Sequence, residues 1–170
     1  MFKYSIHAAT IIALMLFSQV APAQQTTMPE QAPSSMSSQS AAMRASAPRD
    51  PDLRPVFDEF GGKAGLIALM DDFMANLMAD PRTHPYFAPA NRKHIKKELV
   101  DQFCVILDGP CTYTGRSMKS VHRGMGVDRA DFNALVEDLQ KAMNKHDIPF
   151  RAQNKLLAKL AAMHGAIITQ

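Results

Sequence analysis

LDGPCTYTGRSMKSVHRGMGV, residues 107–127, is the stretch whose reading decides the fold. Leu107 and Asp108 close an apolar helical run, and Gly109-Pro110 forces a turn. Ser117 to His122 leaves room for one short helix, which Gly124 and Gly126 end. The segment therefore delivers a single imidazole, His122, on a very short helix behind a rigid corner. Neutral imidazole is the commonest protein ligand for transition metals, and Met118, Val121 and Met125 are the soft apolar neighbours that a porphyrin face accepts. His122 is accordingly a candidate iron ligand. A lone histidine in such a place is more often a half-exposed residue near a helix end, so the flanking pattern has to decide between the two.

Upstream, Cys104 and Cys111 flank the turn. In an oxidising compartment they are expected to pair, with two unpaired thiols as the competing reading. From Lys63 to Ala79 the apolar positions Leu66, Ile67, Met70, Phe73, Met74 and Leu77 recur at helical spacing, and Asp80-Pro81 ends the run. Gly61-Gly62 before it predicts a sharp corner between helices, and residues 85–89 read as a loop carrying Tyr86 and Phe87. A helix follows over about 91–107, with Ile95, Leu99, Phe103 and Ile106 on one stripe. Downstream, Asp128 caps a helix to about Lys145, with Phe132, Leu135, Val136, Leu139 and Met143 inward. After Ile148-Pro149 a last helix is expected over about 151–168. No segment alternates like a strand, so the domain is predicted to be all-α, with five or six helices, one of them very short.

Residues 1–23 read as an export signal: Lys3 gives a weak positive start, residues 8–17 form an apolar run, and Ala21-Pro22-Ala23 offers small residues for cleavage. The run is shorter than the roughly 20 residues a membrane span needs. The expectation is an exported protein, periplasmic in a bacterium and otherwise secreted, with no stable membrane insertion once the signal is removed. Residues 24–52, rich in Gln, Ser, Ala and Pro, read as a disordered linker, which leaves residues 53–170 as one domain. The formal charge of +3 falls to +2 without Lys3, too little to suggest nucleic acid as a partner. Twelve methionines fit either an adaptable pocket or ordinary core filling and decide nothing alone.

With these features assembled, the chain resembles the truncated haemoglobins, specifically their first group. The resemblance rests on Gly61-Gly62 after Phe57 and Phe60, DDFMANLMADPRTHPYF over residues 71–87, the opening stretch with Tyr113-Thr114-Gly115, Met118, His122 and Gly126, and the Ile148-Pro149 break. It covers nearly all of residues 53–170 and implies a truncated globin two-over-two helical sandwich around haem b, with His122 as the proximal iron ligand. It implies further that Phe87 wedges against the haem and that Phe103, Met118, Phe132 and Val136 contact it. Tyr113, Arg116 and Lys119 become candidates to meet its propionates. Nδ1 of His122 is expected to donate to a carbonyl one turn earlier, near Met118.

On the distal side the chain departs from the family pattern. Met74 stands where a tyrosine is common, and Ile95 and Leu99 fill positions that often carry glutamine or histidine. The expected pocket of Met74, Phe87, Ile95 and Leu99 holds almost no hydrogen-bond donor. A diatomic ligand that draws negative charge would forgo charge-assisted bonds worth about 1.5 to 3 kcal/mol. The resemblance thus implies a haem protein that binds oxygen, nitric oxide or carbon monoxide, with no catalytic residues assigned. The alternatives are a redox enzyme acting on peroxide, nitrite or nitric oxide, with Glu98 as its acid, and a six-coordinate electron-transfer protein with Met74 bound to iron. Glu98 is expected to face solvent and pair with nearby lysines, His94 to be exposed, and His164 to sit at the surface unless it approaches the haem edge. Loss of haem, leaving a helical interaction domain, is a further reading against which His122 and Phe87 speak.

Overall fold

In this computed structural model residues 34–170 are described, and among them the chain forms only helices. The signal read over residues 1–23, and the first part of the linker, lie outside the described residues. In chain order the helices are α1 (Ser34–Ser46), α2 (Arg54–Glu59), α3 (Gly62–Ala79), α4 (His84–Phe87), α5 (Arg92–Ile106), α6 (Met118–His122), α7 (Arg129–Lys145), α8 (Phe150–Ala161) and α9 (His164–Ile167). A single 3₁₀ turn, Pro51–Leu53, leads into α2.

The scaffold is a two-over-two sandwich in which α3 packs on α5 and α7, and α8 closes the other side against α5 and α7. The buried stripe of α3 explains its central place. Leu66, Leu69, Met70, Phe73, Met74 and Leu77 recur at intervals of three and four, a band wide enough to serve two neighbours. Ile67, expected on this stripe, is half exposed, because it lies about 100° round the helix from Leu66 and Leu69 takes the inward place. The corner into α3 turns on Gly61 and Gly62, both at positive φ (72° and 62°), a conformation that glycine adopts at no steric cost. Phe57 and Phe60 before the corner are buried in the same core.

Helix α5 starts on an Asn91 side-chain cap, and α7 on a reciprocal capping box between Asp128 and Asp131. Asp138, fully buried on α7, is satisfied by Lys141 at 2.9 Å and by the Thr83 hydroxyl at 3.2 Å. The single Thr83 hydroxyl proton is shared between that carboxylate and the nearer Leu77 carbonyl at 2.8 Å, which fixes the bend between α3 and α4.

Three expectations need correction. Residues 34–52, read as part of a linker, carry α1 and a 3₁₀ turn, with Ser46 and Ala47 buried against the domain. The stretch read as a loop before Pro89 contains α4, started by Pro85 in its first turn. The last helix is broken at Ala162-Met163 into α8 and α9, which turns Ile167 toward α6. These short pieces account for nine α-helices among the described residues where five or six were expected.

Cys104 and Cys111 are joined by a disulfide across the turn, their Cα atoms 5.9 Å apart. Closing so short a loop stabilises the fold by about 2.5 kcal/mol in the chain-entropy argument. Replacing both cysteines by alanine is therefore expected to lower the melting temperature by roughly 5 to 10 °C. Calorimetry on the double variant checks this; an unchanged melting temperature would mean that the cross-link removes no net freedom from the unfolded chain.

Candidate functional site

Helix α6 stands between two turns. Ser117 caps it through the Ser120 amide at 3.3 Å, and Gly124 and Gly126, both at positive φ, lead the chain away from it. His122 ends the helix half-buried, and its Nδ1 lies 2.8 Å from the Met118 carbonyl. A carbonyl only accepts, so Nδ1 carries the proton and, in the neutral ring, Nε2 keeps its lone pair. Burial holds the pKa of His122 below the ordinary histidine value, and the bond to Met118 offsets only part of that. The neutral tautomer with a free Nε2 base is thus the form the fold favours.

His122 lines a narrow cleft of about 80 Å³ with Thr83, Tyr86, Phe87, Met125, Val127, Asp131, Phe132, Leu135 and Ile167. The walls are largely apolar. The polar residues on the rim are occupied: the Tyr86 hydroxyl donates to Asp131 at 2.7 Å, and that bond pushes the phenol up to about 12. An acid whose pKa is raised gives its stabilisation in full below the unfolded value near 10, and loses it as pH climbs through the folded value. Asp131→Ala is accordingly expected to let Tyr86 ionise near pH 10 rather than 12, read as phenolate absorbance in an alkaline titration. A titration curve identical to the parent's would remove Asp131 as the cause.

Of the residues singled out by sequence, Phe87, His122 and Phe132 share this cleft. Ile95, Leu99, Tyr113 and Met118 pack, half-buried, against the central core, while Met74 and Phe103 are fully inside it. Val136 is half-buried on α7. Sequence reading did not single out Tyr86, Val127 or Ile167 for the site. His164 is half-buried rather than at the surface, its ring edge-on to Phe132 with centroids 5.1 Å apart. Thr169 donates its amide to the Val127 carbonyl at 2.9 Å, which ties the tail after α9 to the cleft wall.

Two candidate cationic or phenolic partners are engaged within the protein. Arg116 donates to the Ser120 carbonyl and hydroxyl at 2.7 and 3.0 Å, and Tyr113 donates to the Arg116 carbonyl at 2.7 Å. Glu98 differs from the solvent-facing side chain that was expected. Its Oε1 lies 3.6 Å from Lys97 and 4.0 Å from the exposed His94, but Oε2 is buried without a hydrogen-bond partner among the described residues. A β-carbon on Gly115 would come within 2.3 Å of that oxygen and 2.5 Å of the Tyr113 ring, so a larger residue there would push both side chains aside. Burial, and then the Glu98 charge, push the Tyr113 phenol up to about 12.

Among the described residues, no three His, Cys, Asp or Glu side chains come together to hold a bare metal ion. One neutral imidazole in an apolar slot is instead the donor set for a metal whose other positions are filled by its own cofactor. The sequence profile of the bacterial-like globins matches residues 55–169. The chain is also 32% identical over 90 residues to a group 1 truncated hemoglobin of Tetrahymena thermophila, an overlap of 53% of this chain and 74% of that one. The chain belongs to the group 1 truncated haemoglobins. Membership makes it a haem-iron globin in general terms. It is likewise similar to the group 1 truncated hemoglobin GlbN of Mycolicibacterium paratuberculosis, with 28% identity over 114 residues, 67% of this chain and 84% of that one. The crystal structure of truncated hemoglobin from Tetrahymena pyriformis in its Fe(III) form superposes with a TM-score of 0.65 at 22% identity, covering 68% of this chain and 98% of that one. As a truncated haemoglobin the chain therefore shares both sequence pattern and sandwich with its relatives.

Proposed function

We propose that this truncated haemoglobin is an exported haem b protein that binds small diatomic ligands, oxygen, nitric oxide or carbon monoxide, at an iron held by Nε2 of His122. The observation that carries the reading is the His122 bond to Met118 inside an apolar cleft. It fixes the tautomer and ring direction and leaves one nitrogen base aimed where Phe87 and Phe132 form the walls. When bound, haem supplies the iron with its open coordination position. The protein's part is to keep the imidazole neutral, to hold it still and to exclude water with Phe87, Met125, Phe132, Leu135 and Ile167. Met74, Ile95 and Leu99 form the proposed donor-poor distal wall, and Tyr113 and Met118 the edge. Phe103 and Val136 back the pocket.

Export is supported by the signal-like pattern of residues 1–23 and by the Cys104–Cys111 bridge, which belongs to an oxidising compartment. The periplasm is the corresponding place in a bacterium. A second reading, a haem redox enzyme, draws on the buried Oε2 of Glu98, without a hydrogen-bond partner among the described residues, a carboxyl poised to take or give a proton.

Optical spectra test these readings. The ferrous protein is expected to change spectrum with carbon monoxide and to hold oxygen weakly, with no peroxide turnover above that of free haem. The ferric spectrum of Met74→Leu is expected to match the parent's, since Met74 is core packing at 5% exposure. Loss of a low-spin signal in that variant would instead assign its sulfur to the iron and support electron transfer.

A further inference from the structure

Residues 46–50 lie outside the stretch matched by the family profile, yet they hold both ends of the loop that carries His122. At the near end, the Arg49 guanidinium donates to Asp108 Oδ1 at 2.7 Å and to the carbonyls of Gly109 and Cys111, each at 3.1 Å. At the far end, Ser46 Oγ accepts from the Met118 amide at 2.9 Å while donating its own proton to the Ala42 carbonyl at 2.9 Å. Gln102 fixes Ser46 in turn, donating to its carbonyl at 2.5 Å. Ser46 and Gln102 are both buried, at 4% and 3% exposure, so the bond between them stands away from water and the two at the Ser46 hydroxyl are partly screened from it.

Met118 is the first residue of a five-residue helix. The leading amides of a helix have no acceptor within it, and the local cap, Ser117, takes Ser120 on its side chain and Val121 on its carbonyl, leaving Met118 unserved. Ser46 supplies the missing acceptor from a segment 72 residues away. The carbonyl of the same Met118 orients the His122 ring. A helix this short has no stability of its own, so its direction is set by whatever clamps its ends.

The geometry points to Ser46 as a positioning residue for His122, acting through Met118 from a segment that precedes the globin domain. This rests on the reading of His122 as the iron ligand. Direct partners of a metal-bound histidine are worth 10- to 100-fold in affinity, and Ser46 acts one bond further out, so a smaller effect is expected.

The full chain is compared as S46A and S46T, the latter keeping the hydroxyl. In the haem-loaded protein, S46A is expected to release haem to an excess of apomyoglobin roughly three to ten times faster than the parent, with a shifted iron–imidazole stretching vibration, and S46T to stay close to the parent. In the haem-free protein, exchange of the Met118 amide hydrogen should quicken at least about tenfold in S46A, while α3 and α7 keep their protection. Parental release, vibration and Met118 exchange in S46A overturn the proposal, as does equal loss of protection across α3 and α7, which would mark a general loss of stability. Haem retained in full by His122→Ala would overturn the reading of His122 itself. That result is distinct from failure at Ser46, which shows only in a chain whose His122→Ala variant has lost its haem.

Discussion

With alanine in place of His122, the protein is expected to fold and yet emerge without a Soret band. The expectation follows from the donor set: the cleft holds one imidazole base, and no cluster of ligating side chains among the described residues stands ready to replace it. Partners one shell out from a metal cost 10- to 100-fold when removed, so loss of the ligand itself should cost more than about a hundredfold in haem retention. Folding should survive, because His122 is half-buried at the end of a short helix and the central core does not include it. Far-UV circular dichroism serves as the control for folding. Imidazole added in solution should restore the band by entering the space the ring leaves. A Soret band of parental intensity in the variant would place the iron ligand elsewhere and undo the functional reading.

Leu99→Gln is expected to slow oxygen release about ten- to a hundredfold, with a smaller change for carbon monoxide. Leu99 is half-buried on α5 beside Ile95, where the proposed distal wall offers no donor. An amide there would give a charge-assisted hydrogen bond to a ligand that draws electron density, worth about 1.5 to 3 kcal/mol, which corresponds to that range of rates. Carbon monoxide acquires little charge and should gain little. Flash photolysis and stopped-flow mixing measure both ligands on one sample. Oxygen release within twofold of the parent's would mean that the position does not face the ligand or that a donor already serves it, and the donor-poor wall would have to be abandoned.

Local chemistry was legible in the sequence, and long-range clasps were not. The His122 bond to Met118 follows from one helical turn, the α7 start from Asp128 and Asp131, and the corner before α3 from two adjacent glycines. Each of these needs only neighbours a few residues apart. Helix α1 was illegible because its composition buries little; Ser46 and Ala47 are held by Gln102, Met118 and the rest of the domain, partners that no period reveals. Ile67 was misplaced because an apolar residue beside the stripe looks the same as one on it until the packing partners are known. Glu98 was read as solvated because lysines surround it in sequence, yet the fold lays Gly115 and Tyr113 over one of its oxygens.

The tie between Thr169 and the Val127 carbonyl has a practical bearing on how the molecule is handled. Ile167 and Val127 both belong to the cleft wall, so the final few residues act as a latch on the chamber rather than as a dispensable tail. Clipping the chain after Ala166 would remove Ile167 and the Thr169 bond together and open that side of the cleft wall.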